Sequence, residues 1–418
     1  MNNTAGDALM RVVVVNHVHP SVPHVSGMRA WHFAQELAVR GHQVILVCEQ
    51  DDRGPGSPDP SQLQDHINAH DWRTPLVIAV TPTPFAALNR VRSPRTGSLH
   101  RKSLVVWSYV RHSGMFTDFS AGAAPFLPTI ASVFQPQIVW GMFGNTDCWL
   151  IAQRLARLAR CKWVADMKDS WDEWIPRGLK TLVARRFRDM SAGTSNAEFH
   201  AGAMARWFPA RPSVVYSGVA PEFMRPRPQH SGRFRVTLVG ATYAAENLSR
   251  FVRAFSDWVQ SLPSSERQRI TLGYAGSDAA LVEAAVTGLE SVVHLDIRNQ
   301  LPLPEFAALC GESALNAYLW SPATFHHKVV ELLACQRPIL SFPGERAESL
   351  KLAELAGGTL LVCADESQVR AALARVWNGG AVPVADPERL QQLTWTAQAG
   401  TLERVLRRAA GMEATCAR

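Results

Sequence analysis

Short apolar runs alternate with longer stretches of helical spacing along most of the chain. Residues 11–16 contain four consecutive valines, which is typical of a strand buried on both faces of a parallel sheet. Residues 27–40 follow with apolar positions at helical spacing, and residues 44–48 form the next apolar run. The apolar helix positions are Trp31, Ala34, Leu37 and Ala38. A strand, a helix and a second strand in this order predict a parallel sheet.

The alternation continues through the chain with one interruption. Further strands are predicted in the first half at 76–80, 137–140, 162–166, 187–192 and 213–216, and in the second half at 234–239, 270–275, 291–295, 314–319 and 338–342. Residues 221–232 hold three prolines and few apolar side chains, so we interpret them as a linker. We therefore expect two doubly wound α/β domains, over 1–222 and 233–390. Such sheets bind ligands at the carboxyl ends of their strands, which favours a site in an interdomain cleft.

Composition narrows the class of protein. The chain has 418 residues, of which 47% are hydrophobic and 19% charged, which indicates a globular protein with sizeable cores. Its net charge is +7, a modest excess that suits anionic small molecules or an anionic membrane face. No nucleic-acid-binding motif accompanies this charge, so we expect no nucleic-acid partner.

Cysteine spacing and hydropathy indicate the compartment. The seven cysteines form no CxxC pair, which argues against a disulfide framework or a structural zinc site and favours a reducing compartment. No targeting segment and no apolar stretch of about 18 residues is present. We therefore expect a cytoplasmic protein, or one attached to a membrane only at its surface.

Five segments, in this order, resemble motifs of the family 4 glycosyltransferases. They are AVRGHQV at 38–44, VADMKDSW at 164–171, AGTS at 192–195, VYSGV at 215–219 and FHHKVVELLACQRP at 325–338. Each segment alone is weak evidence for the resemblance, whereas the order and spacing of all five together are specific. The resemblance implies the GT-B fold, with two Rossmann-like, doubly wound domains facing an interdomain cleft. It also implies a retaining transferase with its donor site in the second domain, and a tail, 391–418, that crosses back onto the first.

The last of these segments carries the predicted donor site for a UDP- or GDP-sugar. One carboxylate can accept hydrogen bonds from both ribose hydroxyls, and we assign that role to Glu331. Lys328 lies three residues earlier on the same helical face, where its ammonium would neutralise donor phosphate. The alternatives are a solvated helix carboxylate and an exposed cation. Further donor-binding candidates are Gly240, Thr242, Tyr243, His326 and Arg298.

The donor motif also departs from the pattern of the family. Many members carry a second Glu eight positions before the ribose Glu, where this chain has Ala323. The Arg/Lys pair common after the first strand of the second domain is also missing. These departures keep open a second hypothesis, a catalytically inactive partner subunit with the same fold. A sugar-nucleotide epimerase would need a set of acid/base carboxylates and histidines that the sequence alone does not assemble.

The first domain is predicted to hold the acceptor. Gly27 heads the first helix, after a loop that in the family approaches the donor phosphate or the acceptor, and Arg29 adds a fixed charge there, although it can equally be a surface arginine. Asp169 follows a buried strand and either orients an acceptor hydroxyl or holds Arg177 or a helix N-terminus. Asn145 lies in the strand-end loop 141–147, in which many relatives have a histidine.

The expected chemistry is glycosyl transfer with departure of a nucleoside diphosphate. A phosphate oxygen of the leaving group can deprotonate the acceptor, so no protein nucleophile is needed. The catalytic contributions are then charge stabilisation by Lys328 and positioning of the acceptor by Asp169 and Asn145. No carboxylate pair of the DxD type stands out in a strand-end loop, so we expect neither a required metal nor a bound cofactor.

Residues 89–116 form a basic segment that alternates with apolar and aromatic side chains. No acidic residue occurs in it before Asp118. This pattern suits the headgroup region of an anionic bilayer and predicts a peripheral contact with the inner membrane leaflet through 90–116. The alternative is a long basic loop followed by an ordinary amphipathic helix. The acceptor is accordingly expected to be a saccharide, a lipid-linked glycan or a natural product.

Overall fold

The computed structural model contains two compact units. Met1–Ser217 and Gln398–Arg418 form the first unit, and Gly218–Ala397 form the second. The structure describes residues 8–22, 24–51, 59–84, 90–91, 93–112, 114, 117–144, 146–169, 175–209, 212–225 and 232–412. Part of the predicted linker 221–232 therefore lies outside the described residues.

The first unit is built on a seven-stranded parallel sheet of order β3-β2-β1-β4-β5-β6-β7. The strands are β1 (Arg11–Val15), β2 (Gln43–Glu49), β3 (Leu76–Val80), β4 (Ile138–Phe143), β5 (Lys162–Met167), β6 (Ala192–Ser195) and β7 (Ser213–Val214). Val12 pairs with Val44 on one side and with Ile138 on the other. The strand order therefore reverses between β1 and β4, where ligands bind in sheets of this kind.

One strand of the first half was predicted in the wrong place. We expected a strand at 187–192, but β6 begins only at Ala192. Phe187 and Met190 are buried, yet they belong to the turn that follows a helix. Their apolar character comes from packing into the core rather than from strand geometry.

Seven α-helices of at least seven residues accompany the first sheet in the described residues. They are α1 (Val25–Val39), α2 (Leu63–Ala69), α3 (Ser98–His112), α4 (Thr117–Ala123), α5 (Thr146–Ala159), α6 (Lys180–Arg186) and α7 (Glu198–Ala205). The first of these begins at a histidine N-cap, because His24 Nδ1 accepts a hydrogen bond from Ser26 N. It buries Phe33, Ala34 and Leu37 against the sheet, as its helical spacing predicts.

The second unit is built on a six-stranded parallel sheet of order β10-β9-β8-β11-β12-β13. The strands are β8 (Phe234–Val239), β9 (Ile270–Ala275), β10 (His294–Arg298), β11 (Leu315–Leu319), β12 (Ile339–Phe342) and β13 (Leu360–Val362). The order reverses between β8 and β11. The strand predicted at 291–295 lies three residues later, and the short β13 was not predicted.

Six longer helices accompany this sheet in the described residues. They are α8 (Ala245–Gln260), α9 (Ala279–Ala285), α10 (Leu303–Glu312), α11 (Lys328–Ala334), α12 (Ala347–Leu355) and α13 (Glu366–Trp377). The amphipathic helix α8 buries Phe251, Phe255 and Trp258 in the core of the unit. The doubly wound α/β architecture predicted for both halves is therefore confirmed.

The tail forms one further helix, α14 (Trp395–Ala410), most of which belongs to the first unit. Glu403 on this helix binds Arg40 at 3.3 Å and the imidazole of His42 at 3.0 Å. Arg407 donates to the carbonyl of Ala8 at 2.9 Å. These contacts attach α14 to the segments that flank α1 and β1 in the first unit. None of the helices in the described ranges is both long and apolar enough to span a membrane.

Candidate functional site

Gly240 follows β8 at the point where the strand order of the second sheet reverses. Its φ is +78°, and a β-carbon at this position would overlap the Nζ atom of Lys328. That ammonium donates to the carbonyl of Val239 at 3.2 Å. The loop therefore needs glycine for two reasons: its left-handed backbone and the close approach of the lysine.

Lys328, the first residue of α11, is the centre of this group. Its ammonium lies 5.4 Å from the ring centre of Tyr243 and 5.7 Å from that of Tyr318, within cation–π range. Burial lowers the pKa of Lys328 to about 8, which leaves it mostly cationic at neutral pH. Three carboxylates act in the opposite direction: those of Glu331, Glu345 and Asp278.

Glu331 lies one helical turn after Lys328. Its side chain is 18% exposed, and its Oε1 atom lies 3.8 Å from His327 Nε2. Burial raises the pKa of Glu331 to about 7, and the nearby Lys328 partly opposes this increase. This environment does not match that of a solvated helix carboxylate. A ligand that donates hydrogen bonds to the carboxylate would favour its charged form.

His326 is a buried neutral imidazole. Its Nε2 atom lies 2.8 Å from the backbone nitrogen of Ser321 and 3.2 Å from the carbonyl oxygen of the same residue, so it either accepts from the N–H or donates to the carbonyl. The ring lies 4.9 Å from that of Tyr243 and 5.9 Å from that of Tyr318. Burial, assisted by the charge of Lys328, lowers its pKa to about 4. Nδ1 has no hydrogen-bond partner among the described residues.

The loop after β8 is tied to the loop after β9 by Asp278. Its Oδ2 accepts from both the backbone N–H and the hydroxyl of Thr242, at 2.8 and 3.0 Å, and these bonds lower its pKa. The Tyr274 hydroxyl donates to the carbonyl of Gly240 at 2.9 Å. The hydroxyl proton of the buried Thr242 is thus engaged by Asp278, which leaves the oxygen only its acceptor lone pairs for a ligand. Tyr243 has a φ of +54° and is 50% exposed, so its side chain is accessible to a ligand.

Arg298 is placed differently from the other predicted donor residues. It ends the edge strand β10, where its guanidinium binds Asp296 at 2.7 and 2.8 Å, which raises its pKa. The same carboxylate also binds Arg235 at 2.6 Å. Within the described part of the chain, the guanidinium hydrogen bonds of Arg298 go to Asp296 and not to the group around Lys328.

The sequence did not identify Glu345 as part of this group. It lies in the loop after β12 and accepts a hydrogen bond from the Tyr318 hydroxyl and another, at 2.7 Å, from the N–H of Arg346. Burial raises its pKa. Ala323, at the position where the resemblance led us to expect a second carboxylate, is exposed. Glu345 instead brings a carboxyl group close to Lys328 from another strand end.

In the first unit, Arg29 is a buried structural residue. Its guanidinium binds both carboxylate oxygens of Asp166, at 2.8 and 3.1 Å, and donates to the carbonyl of Val215 at 2.9 Å. Thr194 donates to the same carboxylate at 2.7 Å. Only 1% of the Arg29 side chain is exposed. The prediction of a charge offered to a phosphate or an acceptor is therefore corrected: this arginine joins α1 to β5 and to the segment after β7.

Gly27 lies in the first turn of α1, close to the loop that follows β1. A β-carbon there would lie 2.9 Å from the carbonyl oxygen of His19, so only glycine allows this packing. Just before it, the Ser26 hydroxyl donates to Asn16 Oδ1 at 2.7 Å. These contacts fix the shape of the loop at the carboxyl end of β1.

A second cluster of titratable side chains lies at the carboxyl ends of β1 and β5. Asp169, which is partly exposed, pairs with the ammonium of the buried Lys168. Their charges also act on His17, whose pKa burial lowers to about 4, and on His24, whose pKa burial lowers as well. A β-carbon at Gly144 would overlap the ring of His17, so this imidazole packs directly on the loop after β4.

His17 was missed because the proline-containing loop around it has no recognisable motif. The sequence feature that could have identified His17 is its position directly after the first strand of a doubly wound sheet. The neighbouring candidate Asn145 lies outside the described residues, as does Trp171 of the motif at 164–171. Among the predicted acceptor residues, the structure therefore places Asp169 with two histidines and a lysine that the sequence did not connect to it.

No protein-family model and no curated protein sequence matches the chain. Solved structures do match it. Sucrose-phosphate synthase from Thermosynechococcus elongatus is similar over 97% of this chain and 100% of its own, at 12% identity and a TM-score of 0.66. HepE of Anabaena, solved in complex with UDP, is similar over 96% of this chain and 100% of its own, at 13% identity and a TM-score of 0.62.

A putative UDP-N-acetylglucosamine 2-epimerase from Listeria monocytogenes is also similar, over 97% of this chain and 98% of its own, at 11% identity and a TM-score of 0.56. Identities of this size show the fold alone. The fold is GT-B, with two Rossmann-like domains that match these structures over nearly the whole chain, as the sequence predicts. The same fold carries more than one kind of sugar-nucleotide chemistry, so activity has to be argued from the site.

Proposed function

We propose that this protein is a glycosyltransferase that moves a sugar from a nucleoside-diphosphate sugar to an acceptor hydroxyl. The observation that carries the proposal is the position of Lys328. Its ammonium lies against the backbone of Gly240, where the second sheet reverses its strand order, and Glu331 follows one turn later. A cation and a carboxylate held in this way match the diphosphate and the ribose of a nucleotide sugar.

The donor roles follow from the chemistry of each group. The Lys328 ammonium neutralises the diphosphate, and its low pKa reflects an environment that an anion would relieve. The Glu331 carboxylate accepts hydrogen bonds from the ribose hydroxyls. The exposed ring of Tyr243 lies beside Lys328 and is suited to contact the donor. The similarity to HepE, solved with UDP, supports a uridine nucleotide over a guanosine one.

In the proposed reaction, the bond between the anomeric carbon and the diphosphate oxygen breaks, and a bond from that carbon to the acceptor oxygen forms. The acceptor proton passes to a phosphate oxygen of the leaving nucleoside diphosphate. Lys328 stabilises the negative charge that develops there. Retention of configuration rests on the resemblance to the family 4 glycosyltransferases. The proposal assigns no metal ion to the protein.

We assign the acceptor to the first domain, at the cluster of His17, His24, Lys168 and Asp169. Both imidazoles are neutral at physiological pH because burial lowers their pKa values. Neutral imidazoles and a partly exposed carboxylate bind hydroxyl groups as donors and acceptors. This chemistry suits a saccharide, a lipid-linked glycan or a glycosylated natural product, as in bacterial glycan biosynthesis.

One observation favours a second candidate, a catalytically inactive partner subunit. Ala323 stands where many relatives have a sugar-binding carboxylate. Glu345 weakens the case for an inactive subunit, because it supplies a carboxyl group near Lys328 from another part of the chain. The presence of Lys328 and Glu331 together favours donor binding, which a purely structural subunit would not need.

The first test is thermal stabilisation of the purified protein by UDP, GDP, ADP and their sugars. We expect one nucleotide to raise the melting temperature, and Glu331→Ala to abolish the shift. Glu354→Ala, which removes an exposed carboxylate of the same domain, is the matched control and should leave the shift intact.

Three outcomes are informative. Stabilisation followed by slow release of nucleoside diphosphate from the nucleotide sugar supports a transferase. Conversion of the bound sugar to an epimer, without any acceptor, would replace the proposal by epimerase chemistry. A well-folded protein that responds to no nucleotide would contradict the proposal and favour the inactive subunit.

A further inference from the structure

One face of helix α3 in the first domain is apolar and exposed to solvent. The four large hydrophobic side chains on it are 79%, 47%, 46% and 60% exposed, and they belong to Leu99, Val106, Trp107 and Val110. On a helix, positions three and four apart are neighbours, so Val106, Trp107 and Val110 form one patch, and Leu99 extends it on the same side of the helix two turns earlier. The opposite side of the helix buries Tyr109 and packs Val105 against the core of the domain. The amphipathic helix thus has a second apolar face that its own domain does not cover.

Cations border this patch and acids are absent from it. The sequence contains no Asp or Glu between Asp71 and Asp118. Lys102 and Arg111 are exposed on α3 beside the patch, and Arg95 is exposed in the turn before the helix. Arg101 is used differently, because its guanidinium donates to the carbonyls of Ser93 and Thr96, both at 3.1 Å, and closes that turn.

We propose that this face of α3 docks on the surface of an anionic lipid bilayer. Charge complementarity selects this occupant, since exposed cations without any acid match anionic headgroups, and the apolar patch matches the upper part of the acyl chains. Trp107 is the type of residue that lies at the headgroup level. The helix has 15 residues, about 22 Å at 1.5 Å each, and it lies along the bilayer surface rather than across it.

The structure refines the segment that the sequence indicated. Within 89–116, Tyr109 and Val105 pack into the core of the domain, and Leu104 is half-buried. The exposed apolar residues are Leu99, Val106, Trp107 and Val110. The docking face is therefore a property of one side of one helix. It does not depend on the proposed sugar transfer.

The experiment is flotation of the purified full-length protein with two kinds of vesicle. One contains phosphatidylcholine alone, and the other is an equal mixture of phosphatidylcholine and phosphatidylglycerol. We expect binding to the mixed vesicles that weakens in high salt. Replacing all four apolar residues of the patch by serine should reduce binding at least about tenfold. Lys102→Ala and Arg111→Ala should each reduce it about fivefold at low salt.

The matched control replaces Val39 and Leu158, two exposed apolar residues of the same domain outside α3, by serine. This control should bind like the wild type, and circular dichroism should show that all variants remain folded. Absence of binding to the mixed vesicles at low salt would overturn the proposal. So would an equal loss in the control, or a concentration-dependent dimer that the four serine replacements abolish, because the face would then join two copies of the chain.

Discussion

The guanidinium of Arg29 binds both carboxylate oxygens of Asp166, at 2.8 and 3.1 Å, inside the first domain. The two residues are 137 positions apart, so the pair links α1 to β5 across the sheet. Both side chains are almost completely removed from water. Loss of one partner leaves an uncompensated buried charge, which is far more costly than loss of a surface ion pair.

We therefore expect Arg29→Met to reduce the free energy of unfolding of the first domain by about 3–5 kcal/mol. Urea unfolding followed by tryptophan fluorescence measures this change. Arg73→Met removes an exposed arginine that pairs with Asp71, and it should change the stability by less than about 1 kcal/mol. If the two variants were equally stable, the buried pair would have no structural role of the kind we describe.

The close approach of Lys328 to Gly240 can be tested separately from the backbone strain at this glycine. Gly240→Ala combines a left-handed φ with an overlap on Lys328 Nζ, so the ammonium has to move. We expect nucleotide-sugar affinity to fall about tenfold to a hundredfold, the range for loss of a charge-assisted contact. Isothermal titration calorimetry gives the dissociation constant.

The control for this variant is Gly288→Ala in the same domain. Gly288 has a φ of +91°, and a β-carbon there would meet nothing within 4 Å. Both variants should lose about 1–2 kcal/mol of stability from the left-handed backbone. Only Gly240→Ala should lose affinity, and equal losses in both would point to general destabilisation instead.

Much of the fold was predictable because its signals are local. Four consecutive valines in β1 and the helical spacing of α1 follow from periodicity, which the sequence shows directly. Phe187 misled the strand prediction, because burial at a helix end and burial in a strand give the same apolar signal. The strand β10 lies at the edge of its sheet and is half-exposed, so its apolar pattern was too weak to fix its start.

The site was less predictable because its contacts join distant segments. The spacing of Lys328 and Glu331 on one helix is visible in the sequence, and so is the glycine at 240. The bond between Thr242 and Asp278 joins two strand ends, and that between Tyr318 and Glu345 joins two others. No local pattern records such partners, which explains why the bond of Thr242 to Asp278 was not predicted and Glu345 was missed.

Donor binding should depend on pH in a defined way. Burial raises the pKa of Glu331 to about 7 and lowers that of Lys328 to about 8. Binding needs the carboxylate and the ammonium together, so affinity should rise as pH increases through 7 and fall as it increases beyond 8. Calorimetry with a nucleotide sugar is suitable, because its diphosphate diester does not titrate in this range.

The rise and the fall of affinity with pH can each be tested with a separate variant. Glu331→Gln cannot ionise, so it should bind more weakly and lose the rise through pH 7. Lys328→Arg stays charged and should lose the fall above pH 8. A flat profile for the wild type would show that these two groups do not contact the donor.

The acceptor assignment makes a prediction about His17. If this neutral imidazole holds the acceptor, His17→Gln should reduce kcat/KM for the acceptor about tenfold or more and leave donor affinity unchanged. Because burial lowers its pKa to about 4, the ring stays neutral above pH 5, and its contribution should not vary between pH 6 and 8. Initial rates at saturating donor and varied acceptor measure the effect, and His66→Gln, at an exposed position of α2, is the control. A fall in donor affinity with an unchanged response to acceptor would instead place His17 against the nucleotide sugar, and the acceptor would have to be sought elsewhere on the first domain.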